Sequence, residues 1–264
     1  MWIFDFDGVL LNSLDEVAVS AFNAVTGNMV TAIEKIPSDL ISLFKHNRFH
    51  FQPAGDVIPL MHWCLDTYLT APDKLLTRGE FLNIVRKTTE PLASRTERFY
   101  AARNRFAEQD SQRWFSLNRP FQPIWNELVK RGSEQVVILT NKNREAVFKQ
   151  CRYFDLEVLK ENIYAGDGGA TKTANLKALF KRFSVRPLRF IDDSLRNLQD
   201  LDVHFVFKKE SRKLSLFLAS WGFIGPEDIE TARSSGLPIL TQNELIALLD
   251  SNSKRIPSPA GGRK

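Results

Sequence analysis

Apolar residues along this chain fall into two patterns, short continuous runs and stripes at spacings of three and four, and their order predicts an α/β fold. The runs Trp2-Ile3-Phe4, Val136-Val137-Ile138-Leu139 and Phe190-Ile191 are apolar at every position. A strand buried on both faces reads this way, polar only where it emerges, so a doubly wound, mostly parallel sheet is expected. Between the first two runs the pattern is helical. Helices are expected near 14–26, 38–46, 55–69, 78–88 and 92–109, with Pro37, Pro53, Pro72 and Pro91 marking breaks. Val57, Met61, Cys64 and Tyr68 form the apolar stripe of the third of these.

From Arg119 the alternation of helix and strand resumes. The pattern predicts helix 121–131, strand 135–140, helix 144–154, strand 161–165, helix 172–183 and strand 188–192. A short helix near 195–201 follows, then apolar runs at 204–207 and 216–219, helix 226–235, strand 237–240 and helix 242–250. The expected organisation is an α/β core from residues 1–13 and 118–250, an all-helical insertion over 14–117, and a tail over 251–264.

At 264 residues, 43% hydrophobic and 25% charged, the chain can bury the cores of two domains. Its net charge of +5 suggests nucleic acid until the charge is located. Lys254, Arg255, Arg263 and Lys264 supply four of the five positive charges, in a tail rich in Pro, Gly and Ser that is expected to be disordered. The body is close to neutral, and no nucleic-acid partner is expected. Two cysteines, Cys64 and Cys151, each on an apolar helical stripe, exclude a disulfide framework and point to a reducing compartment. No signal peptide is read before the first strand, and no apolar run approaches membrane-spanning length. The expectation is a soluble, cytoplasmic protein with no membrane partner. The sequence is silent on oligomeric state.

The polar residues that end the apolar runs carry the candidate chemistry. In an open α/β sheet, ligands sit at the carboxyl ends of the strands. The first run ends in Asp5-Phe6-Asp7-Gly8, the second in Thr140-Asn141, and the third in Asp192-Asp193. Asp5, the first carboxylate beyond its strand, is the candidate nucleophile, and Asp7 the candidate general acid and base. Gly8 permits a tight turn and leaves room for a phosphate. The adjacent carboxylates of Asp192 and Asp193 repel each other unless a cation intervenes, and a hard divalent ion such as Mg²⁺ suits such a site. Asp193 is the first choice of ligand and Asp192 a second ligand or an orienting group. Acids serving a helix dipole are the alternative.

Thr140 and Asn141 can bind phosphoryl oxygens, or simply make a turn and cap the helix near Arg144. Lys172 opens a helix, where a cation opposes the dipole and calls for a nearby anion. Lys177 competes for that role, and Lys142 reads as a solvated residue. His62 and His204, in an expected helix and strand, read as structural, and Trp63, Trp125 and Trp221 as packing residues. No Ser–His–Asp arrangement, zinc spacing or dinucleotide-binding glycine pattern is visible.

In this order and strand context, Asp5-Phe6-Asp7-Gly8-Val9-Leu10, Thr140-Asn141, Lys172 and Asp192-Asp193 resemble the haloacid dehalogenase superfamily, in its phosphatase branch, phosphoglycolate phosphatase-like. The resemblance covers residues 1–13 and 118–250, and the helical insertion is similar in position to the superfamily's helical cap. It implies a Mg²⁺-dependent hydrolase of a small phosphorylated metabolite, acting through an aspartyl-phosphate. It also implies that the metal is held by the carboxylates of Asp5 and Asp193 and the backbone carbonyl of Asp7. Many relatives have glycine where this chain has Asp192. In the insertion, Lys45-His46-Asn47-Arg48-Phe49-His50 lies where such caps place a specificity loop, with Arg48 the candidate substrate contact and an ordinary solvated loop the alternative. A cap of this kind is expected to hinge near Ser13–Leu14 and Ser116–Pro120. A phosphomutase or phosphotransferase of the same superfamily is one alternative, and a non-catalytic binding protein that kept the fold is another.

Overall fold

A computed structural model describes residues 1–51, 53–205 and 214–253. The chain forms two compact units, one from Met1–Leu11 with the segment beginning at Pro120, the other from Asn12–Arg119.

The first unit opens with β1 (Trp2–Phe4), followed by a tight turn and the two-residue β2 (Leu11–Asn12). The chain returns through β3 (Arg119–Pro120), which pairs with β2. Then come α7 (Gln122–Arg131), β4 (Ile138–Leu139), α8 (Arg144–Tyr153), β5 (Ile163–Tyr164), α9 (Lys172–Arg182) and β6 (Leu188–Asp192). The unit continues with α10 (Leu195–Phe205), β7 (Leu214–Ala219), α11 (Asp228–Ser234), β8 (Ile239–Leu240) and α12 (Gln242–Ser253). Among the described residues, six strands form one sheet in the order β5-β4-β1-β6-β7-β8, every pairing parallel.

Alternation along each strand explains why the runs are apolar throughout. Successive side chains point to opposite faces. Trp2, Phe4, Val136, Ile138 and Ile191 enter one core with Trp125 of α7, Val147 and Cys151 of α8, and Leu245 and Leu249 of α12. Ile3, Val137, Leu139, Leu188 and Phe190 enter the other with Leu176 and Leu179 of α9 and Leu195, Leu198 and Leu201 of α10. Both faces are covered, as a parallel sheet requires. The register then levels the strand ends, because Phe4 pairs with Ile138 on one side and Ile191 on the other.

The second unit holds α1 (Leu14–Thr26), α2 (Ser38–His46), α3 (Val57–Thr67), α4 (Arg78–Lys87), α5 (Leu92–Gln109) and α6 (Ser111–Ser116). Glu16 of α1 is fully buried, and its carboxylate accepts from Ser20 Oγ (2.8 Å), Arg103 Nε (3.0 Å) and Trp114 Nε1 (2.9 Å). It also pairs with the Arg103 guanidinium, so one buried charge ties α1 to α5 and α6. A reciprocal cap between Thr77 and Glu80 starts α4.

Three expectations are corrected. The run at 204–207 does not begin as a strand: α10 continues through Phe205, placing His204 on a helix, and 206–213 lie outside the described residues. His62 is exposed on α3, so it is not a residue satisfied among apolar neighbours. The tail is helical at 251–253, where it extends α12, and the expectation of disorder beyond Ser253 falls outside the described residues. Among the described residues, no helix is long and apolar enough to cross a membrane.

Burial pushes the Cys151 thiol up to about 12 and raises that of Cys64 as well. Both thiols are fully shielded and uncharged at neutral pH, so neither is a nucleophile in the folded state. A colorimetric thiol reagent is expected to label neither cysteine in native protein and both in denaturant. Rapid native labelling of either would contradict the packing described here.

Candidate active site

The levelled strand ends bring the candidate residues together. Asp5 follows β1 directly, and its backbone N–H donates to Ile191 O of β6 (2.9 Å), continuing the ladder one residue past Phe4. Its Oδ1 accepts from Phe6 N (2.8 Å) and its Oδ2 lies 2.8 Å from Lys172 Nζ. Lys172 reaches the cluster from the first turn of α9, which Thr171 caps through Ala174 N (3.1 Å). The same ammonium lies 2.6 Å from Asp192 Oδ2 and 5.5 Å from the Phe190 ring centroid.

Asp192 and Asp193 divide their work. Asp192 ends β6 fully buried, with Oδ1 accepting from Ser194 N (2.9 Å) and Oδ2 from Lys172 and from Asn197 Nδ2 (3.1 Å). Three donors hold it, and it in turn holds the lysine. Asp193 lies in the loop between β6 and α10, where its Oδ2 accepts from Phe223 N (2.6 Å). Two glycines make room for it. A Cβ on Gly8 would overlap the Asp193 carboxylate, and one on Gly222 would overlap Asp193 Cβ and approach Gly8 O. Gly8 also has φ +88°, a left-handed backbone that disfavours any side chain. Trp221 Nε1 donates to Val9 O (3.0 Å), fastening the glycine-bearing loop after β7 to the turn after β1.

Asp5, Asp192 and Asp193 each offer a carboxylate oxygen, all within 4.8 Å of one another and all buried. Two of these carboxylates, Asp5 and Asp192, share the ammonium of Lys172, and Asp193 stands beside them. Burial, with the charges of Asp192 and Asp193 behind it, pushes the Asp5 carboxyl well above its ordinary value, and Lys172 pulls the other way. For Lys172 burial opposes the charge, but Asp192 and Asp5 outweigh it and hold the ammonium protonated. The remaining negative charge and the all-oxygen donor set fit a hard divalent cation. A helix dipole alone accounts for the Asp192 contact to Ser194 N, but not for Asp193 aimed at Phe223 N between two glycines.

The other candidates spread further. Asp7 is partly exposed, and its Oδ1 lies 2.9 Å from Lys142 Nζ. Lys142 is thus no solvated residue: the ion pair draws it into the protein. Thr140 is buried at the end of β4, where its Oγ1 accepts from Lys142 N (3.2 Å). It makes the turn, but the cap of α8 is Asn143, which accepts from Ala146 N (3.1 Å). Asn141 is exposed, and its carbonyl packs so close to Gly166 that a Cβ there would overlap it. Lys177 is exposed on α9. Arg48 belongs to the helical unit, its guanidinium 4.0 Å from the Phe51 ring centroid and donating to Phe51 O (3.2 Å). Asn197, Gly222 and Phe223 N escaped the sequence reading. Asn197 carried the signal of a polar residue four positions after Asp193, whereas the loop after β7 reaches the site only through tertiary folding.

No family model matches the chain, and no curated protein matches it by sequence. Solved structures do. A predicted phosphoglycolate phosphatase from Haemophilus somnus 129pt superposes with TM-score 0.57 at 17% identity, over 96% of this chain and 97% of its own. A hydrolase from Pseudomonas syringae gives 0.55 at 15% identity, over 95% and 97%. Protein Tyrosine Kinase A of Mycobacterium tuberculosis gives 0.54 at 15%, over 94% and 96%. The chain shares their fold. That is the α/β fold with a helical insertion expected from the motifs, and its hosting of proteins so differently named leaves activity to be argued from the site.

Two consequences follow for stability. Asp5→Asn keeps the acceptor for Phe6 N while removing a costly buried charge, so in excess chelator it is expected to melt at or above the wild-type temperature. A fall of several degrees would mean that the Lys172 pairing outweighs burial. Gly222→Ala is expected to lose about 1–3 kcal/mol in urea denaturation, because neither Asp193 Cβ nor Gly8 O can yield without moving backbone. Wild-type stability in that variant would show the loop to be slack.

Proposed function

We propose that this chain is a phosphatase of the haloacid dehalogenase type, hydrolysing a small phosphate monoester through an aspartyl-phosphate on Asp5. The observation that carries this reading is the buried Asp5 carboxylate held by Lys172, with Asp193 beside it, at the carboxyl edge of a parallel sheet. Such a carboxylate is aimed by two fixed donors, Phe6 N and Lys172 Nζ, and needs no reorganisation before attack.

In the first step a carboxylate oxygen of Asp5 attacks phosphorus, the ester P–O bond breaks, and the electron pair leaves on the alcohol oxygen. Asp7 supplies the proton that this oxygen takes up. In the second step Asp7 removes a proton from water as the water oxygen attacks phosphorus. The bond to Asp5 then breaks, returning its carboxylate and releasing inorganic phosphate. Lys172 faces the negative charge that the phosphoryl group brings, and Thr140 and Asn141, at the end of the neighbouring strand, offer further donors to its oxygens. Gly8 leaves the turn after β1 without a side chain beside Asp193.

The carboxylates of Asp5 and Asp193, with the backbone carbonyl of Asp7, would hold Mg²⁺. When bound, the ion supplies charge neutralisation between carboxylate and phosphoryl oxygens. Asp192 acts behind them as the anchor of Lys172. The substrate is a small phosphorylated metabolite and the compartment the cytoplasm, consistent with the two shielded, uncharged thiols. Asn12–Arg119 is the cap domain, and Arg48 is its candidate substrate contact.

The test is phosphate release from a panel of phosphometabolites, phosphoglycolate among them, and from p-nitrophenyl phosphate. Wild-type protein with Mg²⁺ is expected to turn over at least one. Asp5→Asn should be inactive and still folded, and Asp7→Asn should be slower by about 10²–10⁴-fold. Excess chelator should abolish turnover and added Mg²⁺ restore it, while Asp193→Ala should need far more Mg²⁺ or fail altogether. Near-wild-type turnover by Asp5→Asn, or activity persisting in chelator, would overturn the reading.

A further inference from the structure

The buried lysine that the phosphatase chemistry leaves without a task is Lys142. Its side chain is 3% exposed, whereas its partner Asp7 is 24% exposed. A surface pair contributes little to stability, and an ammonium drawn inward gives up hydration in exchange for its pairing with Asp7. Burying so long and flexible a side chain also costs rotamer entropy. The expense falls just after β4, at a turn whose own hydrogen bonds use the Lys142 backbone and not its ammonium.

Lys142 is held at its backbone as firmly as at its tip. Its N–H donates to Thr140 Oγ1 (3.2 Å), and its carbonyl accepts from Gly166 N (3.2 Å). Gly166 can come this close because it lacks a Cβ, which would overlap the Asn141 carbonyl. From that anchored turn the side chain passes the Phe6 ring, its Nζ 5.3 Å from the centroid, and ends 2.9 Å from Asp7 Oδ1. The two carboxylates of the first motif thus each pair with a buried lysine, Asp5 with Lys172, which Asp192 shares, and Asp7 with Lys142.

We propose that Lys142 is a positioning residue for Asp7. It holds the Asp7 side chain in the orientation from which the protonated carboxyl group gives its proton to the leaving oxygen. The inference rests on the phosphatase reading above. It goes beyond that reading by giving the third residue of Thr140-Asn141-Lys142 a role exerted through Asp7 and not through contact with the phosphate.

Leaving-group dependence separates this role from mere support of the fold. The ratio kcat/KM covers only the steps up to phosphorylation of the enzyme. In that step p-nitrophenolate departs without a proton, whereas the alkoxide of glycerol 3-phosphate requires one. Lys142→Met in the full chain is expected to lower kcat/KM for glycerol 3-phosphate by about 10-fold or more and for p-nitrophenyl phosphate by less than about 3-fold. Lys142→Arg should recover part of the loss. In an Asp7→Asn background, Lys142→Met should cost nothing further, because the group it positions is already gone. Equal losses on both esters, or an undiminished loss in the Asp7→Asn background, would overturn the proposal. Should Lys142→Met not fold, Lys142→Gln carries the same comparisons. If wild-type protein hydrolyses neither ester, the phosphatase reading is what fails for them. The positioning claim is then decided by a crystal structure of the lysine variant: a turned Asp7 carboxylate sustains it, and an unmoved one overturns it.

Discussion

Three buried carboxylates crowded together, with one ammonium shared between two of them, is the constraint around which the α/β unit is arranged. A buried charge left unpaired costs several kcal/mol, so each oxygen must find a donor. The donors come from every direction. Phe6 N faces Asp5, Ser194 N and Asn197 Nδ2 face Asp192, and Phe223 N faces Asp193. Lys172 sits between Asp5 and Asp192 and makes the two strand ends one electrostatic object. Its pairing still leaves negative charge over, and that surplus is what makes the site receptive to a cation.

The glycines follow from the same constraint. Asp193 can stand where it does only because the turn after β1 and the loop after β7 both pass it without a side chain. Trp221 then fixes the spacing between those two segments through its bond to Val9 O. The packing is costly to alter because the approach involves backbone on both sides. The segments on both sides of Asp193 are therefore held in place by their own packing.

The helical unit answers to a separate buried charge. Glu16 draws Ser20, Arg103 and Trp114 onto one carboxylate, and its network is satisfied within that unit. His50, in the basic loop that drew attention to Arg48, is likewise absorbed locally: its Nε2 lies 2.7 Å from Leu76 O, and its ring stacks on Phe81. Residues that look reactive in a sequence are often spent on holding their own loop.

The sequence by itself determined most of the elements, the fold class and the strand-end carboxylates, because each is written in local periodicity. A strand buried on both faces must be apolar throughout and polar where it stops, so Asp5 and Asp192 announced their positions. The helices of the insertion kept their stripes and proline breaks for the same reason. What happens across the sheet has no local signature. That Lys142 is buried on Asp7, that Asp192 serves Lys172 while Asp193 faces two glycines, and that Gly222 and Phe223 belong to the site were all decided by register and loop closure. A lysine next to a turn reads as solvated until a parallel pairing brings a carboxylate within 2.9 Å of it. The pairing of β1 with β4 and β6 supplied that contact, because it sets distant residues side by side at one edge.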